Sequence, residues 1–531
     1  MRNEVELRKR LVLGFVLCAT ISMTALGYAA ETTAPRTATT KYGGILVLGN
    51  DLEVDQLGDP VARPYTSICF KTALPALETL LRYDKTGVAV PWLATEWKVS
   101  KDLDSITLTL RKGIKFHDGT DFNAQACKWN LERYRTSNNP ELKAVKSIDI
   151  VDDSTIRLNL SKWDSTLLDT LAYIPGIMVS PTAYQKAGST DKERSDWARV
   201  NPVGTGPFKF VSWNREVKIK YEKFNNYWQK GKPYLDGVEV VVISDVVTRF
   251  MSFRKGEVDV ITSVDPRDVR ELEKEGKYII SMCNLSSLAS CVAGDSAHPD
   301  SRFSDIRVRR ALEYAVDKKT LVDALTYGYG KICNQYAAPG SWGLNPDVKG
   351  YPYDPGKAKQ LLAEAGYPNG FKTKLISPNF GLFIPPPPAI QEYLRKVGID
   401  TEIEMLASGA YQSVLRGGWK DSLIFLEGSQ GFPDVTRNLI SKISARMFMK
   451  GTMLFPDDYE AALTNAVNAP DFATKQKWTW EAQKLLIDKY ALVQYFFTQP
   501  RTTVINKKLQ DTGFGVTFDV QWTPADAWMS K

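Results

Sequence analysis

Short runs with strand periodicity alternate with capped, amphipathic segments along most of this 531-residue chain, and that alternation restricts it to an α/β architecture. Ile106, Leu108 and Leu110 alternate with polar residues, which predicts a half-buried strand over 105–110. Asn123 is placed to cap a helix with apolar positions Ala126, Trp129 or Asn130, and Tyr134. Helical signals also cover Leu74–Arg82, and a strand pair is expected at Ile148–Val151 and Thr155–Leu160. Lys41–Gly49 opens the fold as a strand, and Val238–Ile243 has the continuous apolar pattern of a strand buried on both faces. Asp305 precedes an apolar stripe through Val308, Leu312, Ala315 or Val316, Val322 and Leu325. Asp354-Pro355 reads as cap and first helical residue, Gly366 as terminator, and Gly398–Glu404 as the next strand. Pro385–Pro388 is predicted to be an extended loop. There is no internal repeat, and the length with 43% hydrophobic residues allows two or three domains.

The first thirty residues differ in kind. Arg8-Lys9-Arg10 precede an apolar run from Leu11 to Leu26 that ends in small residues around Ala29 and Ala30. A basic start, an apolar stretch too short to span a bilayer comfortably and a small-residue end make a secretory signal peptide over 1–29, cleaved near Ala29. Cys18 raises the question of a lipid anchor, but Leu17 stands where a lipobox wants a small residue, so a soluble periplasmic protein is expected. Thr, Ala and Pro then dominate 30–41, the composition of a flexible tether.

The net charge of +7 includes +2 from the leader, and no basic run is interleaved with aromatics, so nucleic acid is not an expected partner. Five cysteines follow the leader; Cys283 and Cys291 could close a small loop or be two buried side chains, and pairing among Cys69, Cys127, Cys283, Cys291 and Cys333 stays open. Only His117 and His298 could supply imidazole, too few for a direct transition-metal site; no metal or other cofactor is expected. No HExxH, GxSxG or P-loop pattern occurs, which leaves a secreted hydrolase, the rival from another class, without its chemistry. The expectation is a protein that is not an enzyme.

Pro91-Trp92-Leu93-Ala94-Thr95-Glu96-Trp97, Leu110-Arg111-Lys112-Gly113 and Phe116-His117-Asp118-Gly119 together resemble the signature of the family 5 solute-binding proteins, extracytoplasmic receptors of peptide- and nickel-type ABC importers. Gln56–Pro60 resembles that family's LDP element with one residue inserted, Gly204–Phe208 its GTGPF turn, and Arg254–Asp259 its GEVD element. Asp305–Lys318 is similar to its most characteristic helix, and Tyr353–Tyr367 follows in order; matches run from about 43 to about 510. The resemblance implies a two-lobed periplasmic-binding-protein fold of the large peptide-binding type with an extra subdomain in the first lobe. Lobe one would comprise 42–74, 204–290 and 498–531, the inserted subdomain 75–203, and lobe two 291–497, with crossings near Ser290–Ala293 and Tyr495–Gln499. It also implies a monomer that takes a small molecule or short peptide between the lobes and delivers it to permease subunits in the inner membrane, or a sensory receptor using the same cleft.

The resemblance places substrate contacts just after Asp59-Pro60, at Arg63 and Tyr65, and across the cleft at Glu427, Gly428, Ser429 and Gln430. Peptide-binding relatives carry an aspartate four residues before the proline that matches Pro433, paired with the peptide's α-amino group; here that place holds Ser429. The acidic residue usual just before the proline is Phe432. A buried ammonium without a carboxylate is costly, so Glu427 is the candidate substitute, and Arg63 could clamp a carboxylate or phosphate. Peptide-like solutes, opines, oligosaccharides and chelated metals remain the ligand classes. Trp419 is assigned to packing and His117 to the structure of its turn.

Overall fold

The computed structural model describes residues 41–62, 65–137, 139, 141–379, 386–429, 432–445, 449, 451–517 and 521–530, without the side chains of 286, 288 and 427–429. One eleven-stranded mixed sheet runs through the molecule. Ten of its strands are β1 (Ile45–Asn50), β2 (Phe208–Asn214), β3 (Lys218–Lys223), β4 (Gly237–Val242), β5 (Val260–Thr262), β6 (Tyr278–Gly294), β7 (Phe371–Pro378), β8 (Ile399–Leu406), β9 (Leu423–Ser429) and β10 (Gln494–Asn506). Their spatial order is β2-β3-β4-β1-β5-β10-β6-β9-β7-β8, and the short strand Lys331–Ile332 pairs with β10.

Two strands carry the sheet from one half to the other. β6 pairs antiparallel with β10 from Tyr278 opposite Asn506 to Val292 opposite Gln494, with register breaks between Cys283 and Leu288 and between Ser290 and Cys291. β5 pairs with β10 at 503–505, whereas β9 pairs with β6 at 288–294. In the second half, alternation along the strands sorts side chains onto two faces. Ala289, Cys291, Ala293, Ile376 and Ile424 pack with the helices Val435–Lys442 and Asp457–Val467. Val292, Leu375, Leu423 and Phe425 pack with Ile306–Ala315, Pro355–Glu364 and Pro387–Lys396. A separate four-stranded antiparallel sheet, ordered Ala94–Val99, Ser105–Leu110, Thr155–Leu160, Val145–Asp152, packs on the helix Ala124–Thr136 within the large first core.

Local expectations hold where a cap or alternation decides the structure. Asn123, Asp305 and Asp354 each accept a backbone N–H from the first turn of their helices. Others need correction. The helix expected over 74–82 lies at Ser67–Ala73, because Pro75 cannot continue it; Glu78–Thr79 and Leu81–Tyr83 are short strands instead. The stripe from Val308 to Leu325 is broken at Val316, since Asp317 caps a second helix, Lys318–Thr326, by accepting from the Thr320 N–H. The loop predicted for Pro385–Pro388 gives way at Pro387, which begins a helix with Pro386 as its cap; first-turn N–H groups have no helical partner, so proline is tolerated there. Pro385 lies outside the described residues. Strand β4 buries Val238 and Val240 fully but not the alternate face, where Glu239 accepts from Lys218 at 3.0 Å and pairs with Lys220 at 3.4 Å.

All five cysteines after the leader are buried. Cys283 and Cys291 do not close a loop. They lie eight residues apart on one extended strand, at about 3.3 Å per residue, far beyond a disulfide's reach of about 7 Å. Each thiol donates to a carbonyl instead, Cys283 to Thr517 and Cys291 to Leu426. Among the described residues no helix is long and apolar enough to cross a membrane.

Candidate functional site

Two of the sequence motifs meet each other rather than a cleft. The His117 backbone N–H donates to the Gly204 carbonyl at 2.9 Å, and its imidazole Nε2 lies 2.9 Å from the Gly206 carbonyl. The ring stands edge to face against Phe224, 4.9 Å between centroids, and its buried Nδ1 has no partner. Burial, eased by the Gly206 carbonyl, lowers the His117 pKa to about 4, so the ring is neutral at physiological pH and donates from Nε2. A Cβ on Gly204 would lie 2.3 Å from the Ala76 carbonyl oxygen, and one on Gly206 2.6 Å from that of Pro75. Asp118 closes its own turn on Thr120 and accepts the Ser180 hydroxyl at 2.6 Å. These residues fix the backbone, as expected for His117, and leave no group for chemistry.

The loop entering Arg63 is pinned from below. Asp59, almost fully buried, takes both prongs of Arg133 at 3.0 and 3.3 Å and accepts the Val61 N–H. Gln56 donates to the Ala62 carbonyl at 2.8 Å and Asn139 to that of Val61 at 3.4 Å. Arg63 itself lies outside the described residues. Tyr65 is half-buried and gives its hydroxyl to the Leu57 carbonyl at 2.9 Å. Burial, with Cys69, Tyr221, Asp59 and Tyr173 nearby, raises its phenol pKa well above the ordinary value, so it presents an aromatic wall and not a charge.

Strand β9 sets Glu427 opposite Ser290, Gly428 opposite Ala289 and Ser429 opposite Leu288, all on the long strand β6. The side chains of Glu427 and Ser429, and the whole of Gln430, lie outside the described residues. Phe432 stands edge to face on Tyr173 at 5.5 Å, and Tyr173 on Phe70 at 5.5 Å. Tyr173 is thus a common neighbour of Tyr65 and of the segment after β9. Trp419 is buried in the second-half core, in keeping with a packing role.

The junction around this aromatic path is built from residues that sequence reasoning missed. Arg437 lies 3.6 Å over the Phe432 ring and pairs with Asp169 at 3.3 Å; both side chains are nearly buried. Lys475 pairs with Asp434 and also donates to the Ser165 carbonyl at 3.2 Å. Ser165 donates its N–H to the Val467 carbonyl and its hydroxyl to that of Ala466, both at 2.8 Å, and the Trp163 indole reaches the Ala469 carbonyl at 2.7 Å. Burial, then the neighbouring Asp434 carboxylate, push the Asp169 pKa up to about 7 against the pull of Arg437 and Lys475. Burial also works against the Arg437 charge, but Asp169 outweighs it and keeps the guanidinium protonated. Only the capping role of Asp434 carries a local signal. Its partner and those of Asp169 and Trp163 are set by tertiary structure.

Among the described residues no group of three or more His, Cys, Asp or Glu side chains is placed to hold a metal. Residues 88–441 match the profile described as bacterial extracellular solute-binding proteins, family 5 Middle. The chain belongs to this family. It is 32% identical over 431 residues to heme-binding protein A of Haemophilus influenzae, covering 75% of this chain and 76% of that one. It is 30% identical over 471 residues to a glutathione-binding protein of Pectobacterium atrosepticum, covering 85% and 88%. The ABC transporter-associated periplasmic binding protein DppA from Helicobacter pylori, solved with the peptide STSA, superposes with a TM-score of 0.72 at 26% identity, covering 93% and 99%. This family 5 protein therefore has the two-lobed fold that its motifs implied, and its relatives are binding proteins of ABC transporters rather than enzymes.

Proposed function

We propose that this chain captures a peptide or peptide-like solute between its two lobes and delivers it to the inner-membrane permease of an ABC importer. The observation that carries this reading is the sheet itself. It passes from one half to the other through β6 and β10, whose register breaks lie beside the residues opposite Glu427–Ser429. In this reading lobe one comprises 42–74, 204–290 and 498–531, with 75–203 inserted, and lobe two 291–497; the two crossing strands absorb the dihedral change of closure. Residues 1–29 are removed on export, leaving a soluble periplasmic monomer without lipid on Cys18.

Arg63, Tyr65, Glu427, Gly428, Ser429 and Gln430 face the solute. Phe432 occupies the place of an acidic residue and is committed to Tyr173 and Arg437, which leaves Glu427 to meet an ammonium. Heme, glutathione and a peptide, named for relatives, all carry carboxylates, which suits a guanidinium at position 63. A thermal-shift screen against peptides, opines, oligosaccharides and chelated metals identifies the solute, because a ligand of the folded state raises the melting temperature. Glu427→Ala is expected to weaken binding of the hit by roughly 2–5 kcal/mol, and Glu427→Gln to recover little of it. An uncharged sugar as the hit, indifferent to changes at Glu427 and Arg63, would contradict the charge pairing.

A further inference from the structure

A pocket of about 240 Å3 opens between the segments 87–99 and 163–169 on one side and Trp342 and 469–475 on the other. Trp97, Trp163, Leu168, Trp342 and Phe472 form most of its wall. Phe472 stands edge to face on Trp342 at 5.2 Å and is still 45% exposed, while Trp97, Trp163 and Leu168 are only half-buried. The exposed wall residues Pro470, Asp471 and Phe472 mark the mouth. Benzene enters a cavity of about 150 Å3, and pockets for drug-sized ligands begin near roughly 300 Å3. This pocket has room for a fused pair of rings.

The charged groups on the wall are Asp169, Asp434, Asp471 and Lys475, and each has its partners within the protein. Lys475 pairs with Asp434, donates to the Ser165 carbonyl at 3.2 Å and lies 5.5 Å from the centroid of the Trp342 ring. Asp434 also caps its helix through the Arg437 N–H, Asp169 is held by Arg437 and Tyr83, and Asp471 accepts the Thr474 N–H and hydroxyl. The Trp163 indole and the Ser165 hydroxyl are spent on the Ala469 and Ala466 carbonyls. A guest ammonium would find Lys475 already over the Trp342 ring, and a guest carboxylate would compete with Asp434 for Lys475. Neither sign of charge gains a free partner. What the wall leaves uncovered is indole, phenyl and isobutyl surface in contact with solvent, and a guest ring that covers it is favoured.

We propose that this pocket is an accessory site for an uncharged aromatic molecule of two fused rings, held by its faces among Trp97, Trp342 and Phe472. The walls belong to segments far apart in the sequence, so a bound ring ties 87–99 and 163–169 to 469–475 and stabilises the fold that brings them together. None of the wall residues is among the solute contacts proposed above, so this site stands or falls independently of that reading.

Calorimetry on the exported full-length chain tests it with indole, indole-3-acetate and tryptamine, which share one ring system and differ in charge. Indole is expected to bind saturably, and neither charged relative to gain as much as tenfold over it. Leu168→Trp, which fills the pocket without touching a charge, should weaken indole at least tenfold, and Phe472→Ala, which removes a wall, at least fivefold. Glu427→Ala should leave indole affinity unchanged. A melting curve for each variant checks that it is folded; Phe472 lies at the mouth, so its variant decides the matter if Leu168→Trp does not fold. Absence of saturable indole binding, or unchanged affinity in the folded pocket variants, overturns the proposal. So does a charged relative that binds at least tenfold more tightly than indole. Loss of indole binding in Glu427→Ala also overturns it, because the ring then sits in the main cleft.

Discussion

The docked turns at His117 and Gly204–Gly206 and the charged junction at Asp169, Asp434, Arg437 and Lys475 are both buried polar constructions, yet they are built in opposite ways. The turns are held mainly by backbone groups and one neutral imidazole, and their carboxylate contacts, Thr205 to Glu78 at 2.8 Å and Ser180 to Asp118 at 2.6 Å, are with neutral hydroxyls. The junction balances two carboxylates against two cations, with Asp169 and Arg437 brought together from 268 residues apart in the sequence. The first arrangement makes a rigid scaffold. The second makes a contact whose strength depends on every member being present, since a charge buried without its partner costs several kcal/mol.

The largest expected effect separates the two directly. Lys475→Met leaves the Asp434 carboxylate buried beside Asp169 and should lower stability by about 3–5 kcal/mol in urea unfolding, with partial recovery when Asp434→Asn is added. A loss near zero would reduce the junction to an ordinary surface contact.

Titration should then give the two regions opposite slopes. His117 is held neutral with a pKa near 4, below its ordinary 6.5, so its contribution is complete above pH 6.5 and is lost as pH falls toward 4. The loss is at most about 3.4 kcal/mol, at 1.36 kcal/mol per pKa unit. Asp169, raised from 3.8 to about 7, behaves in reverse: its contribution is complete below about pH 4 and is lost as pH rises through 7. The two windows overlap between pH 4 and 6.5, where the slopes oppose each other, so across that range unfolding midpoints should shift toward falling with pH in His117→Gln and toward rising with pH in Asp169→Asn, each relative to the parent. Slopes unchanged in both variants would remove these groups from the account.

A smaller effect probes the turn alone. Gly204→Ala places a methyl against the Ala76 carbonyl and the Leu77 side chain and should cost about 1–3 kcal/mol while leaving ligand affinity unchanged. A change in affinity without a change in stability would mean that the turn touches the solute.

The same contrast explains what could be read from the chain. Caps at Asn123, Asp305 and Asp354 act within three residues of themselves, so local pattern suffices. Misreadings came where one residue outweighed a periodic pattern, as Pro75 and Asp317 did. The family motifs were legible as motifs, and they build the scaffold. The junction was not legible, because Arg437 meets Asp169 across 268 residues of sequence and Trp163 meets Ala469 across 306. Helix and strand periodicity carry no information at that range. The proposed contact at Tyr65 turns instead on the path of its own loop, for its hydroxyl is spent on Leu57, eight residues away, and only its ring remains for a solute.

Small-angle scattering on the exported chain, with and without the solute found by thermal shift, tests the central claim most directly. Binding between lobes predicts a smaller radius of gyration with saturating solute, and no consumption of that solute over the measurement. An unchanged radius with the solute chemically transformed would contradict it.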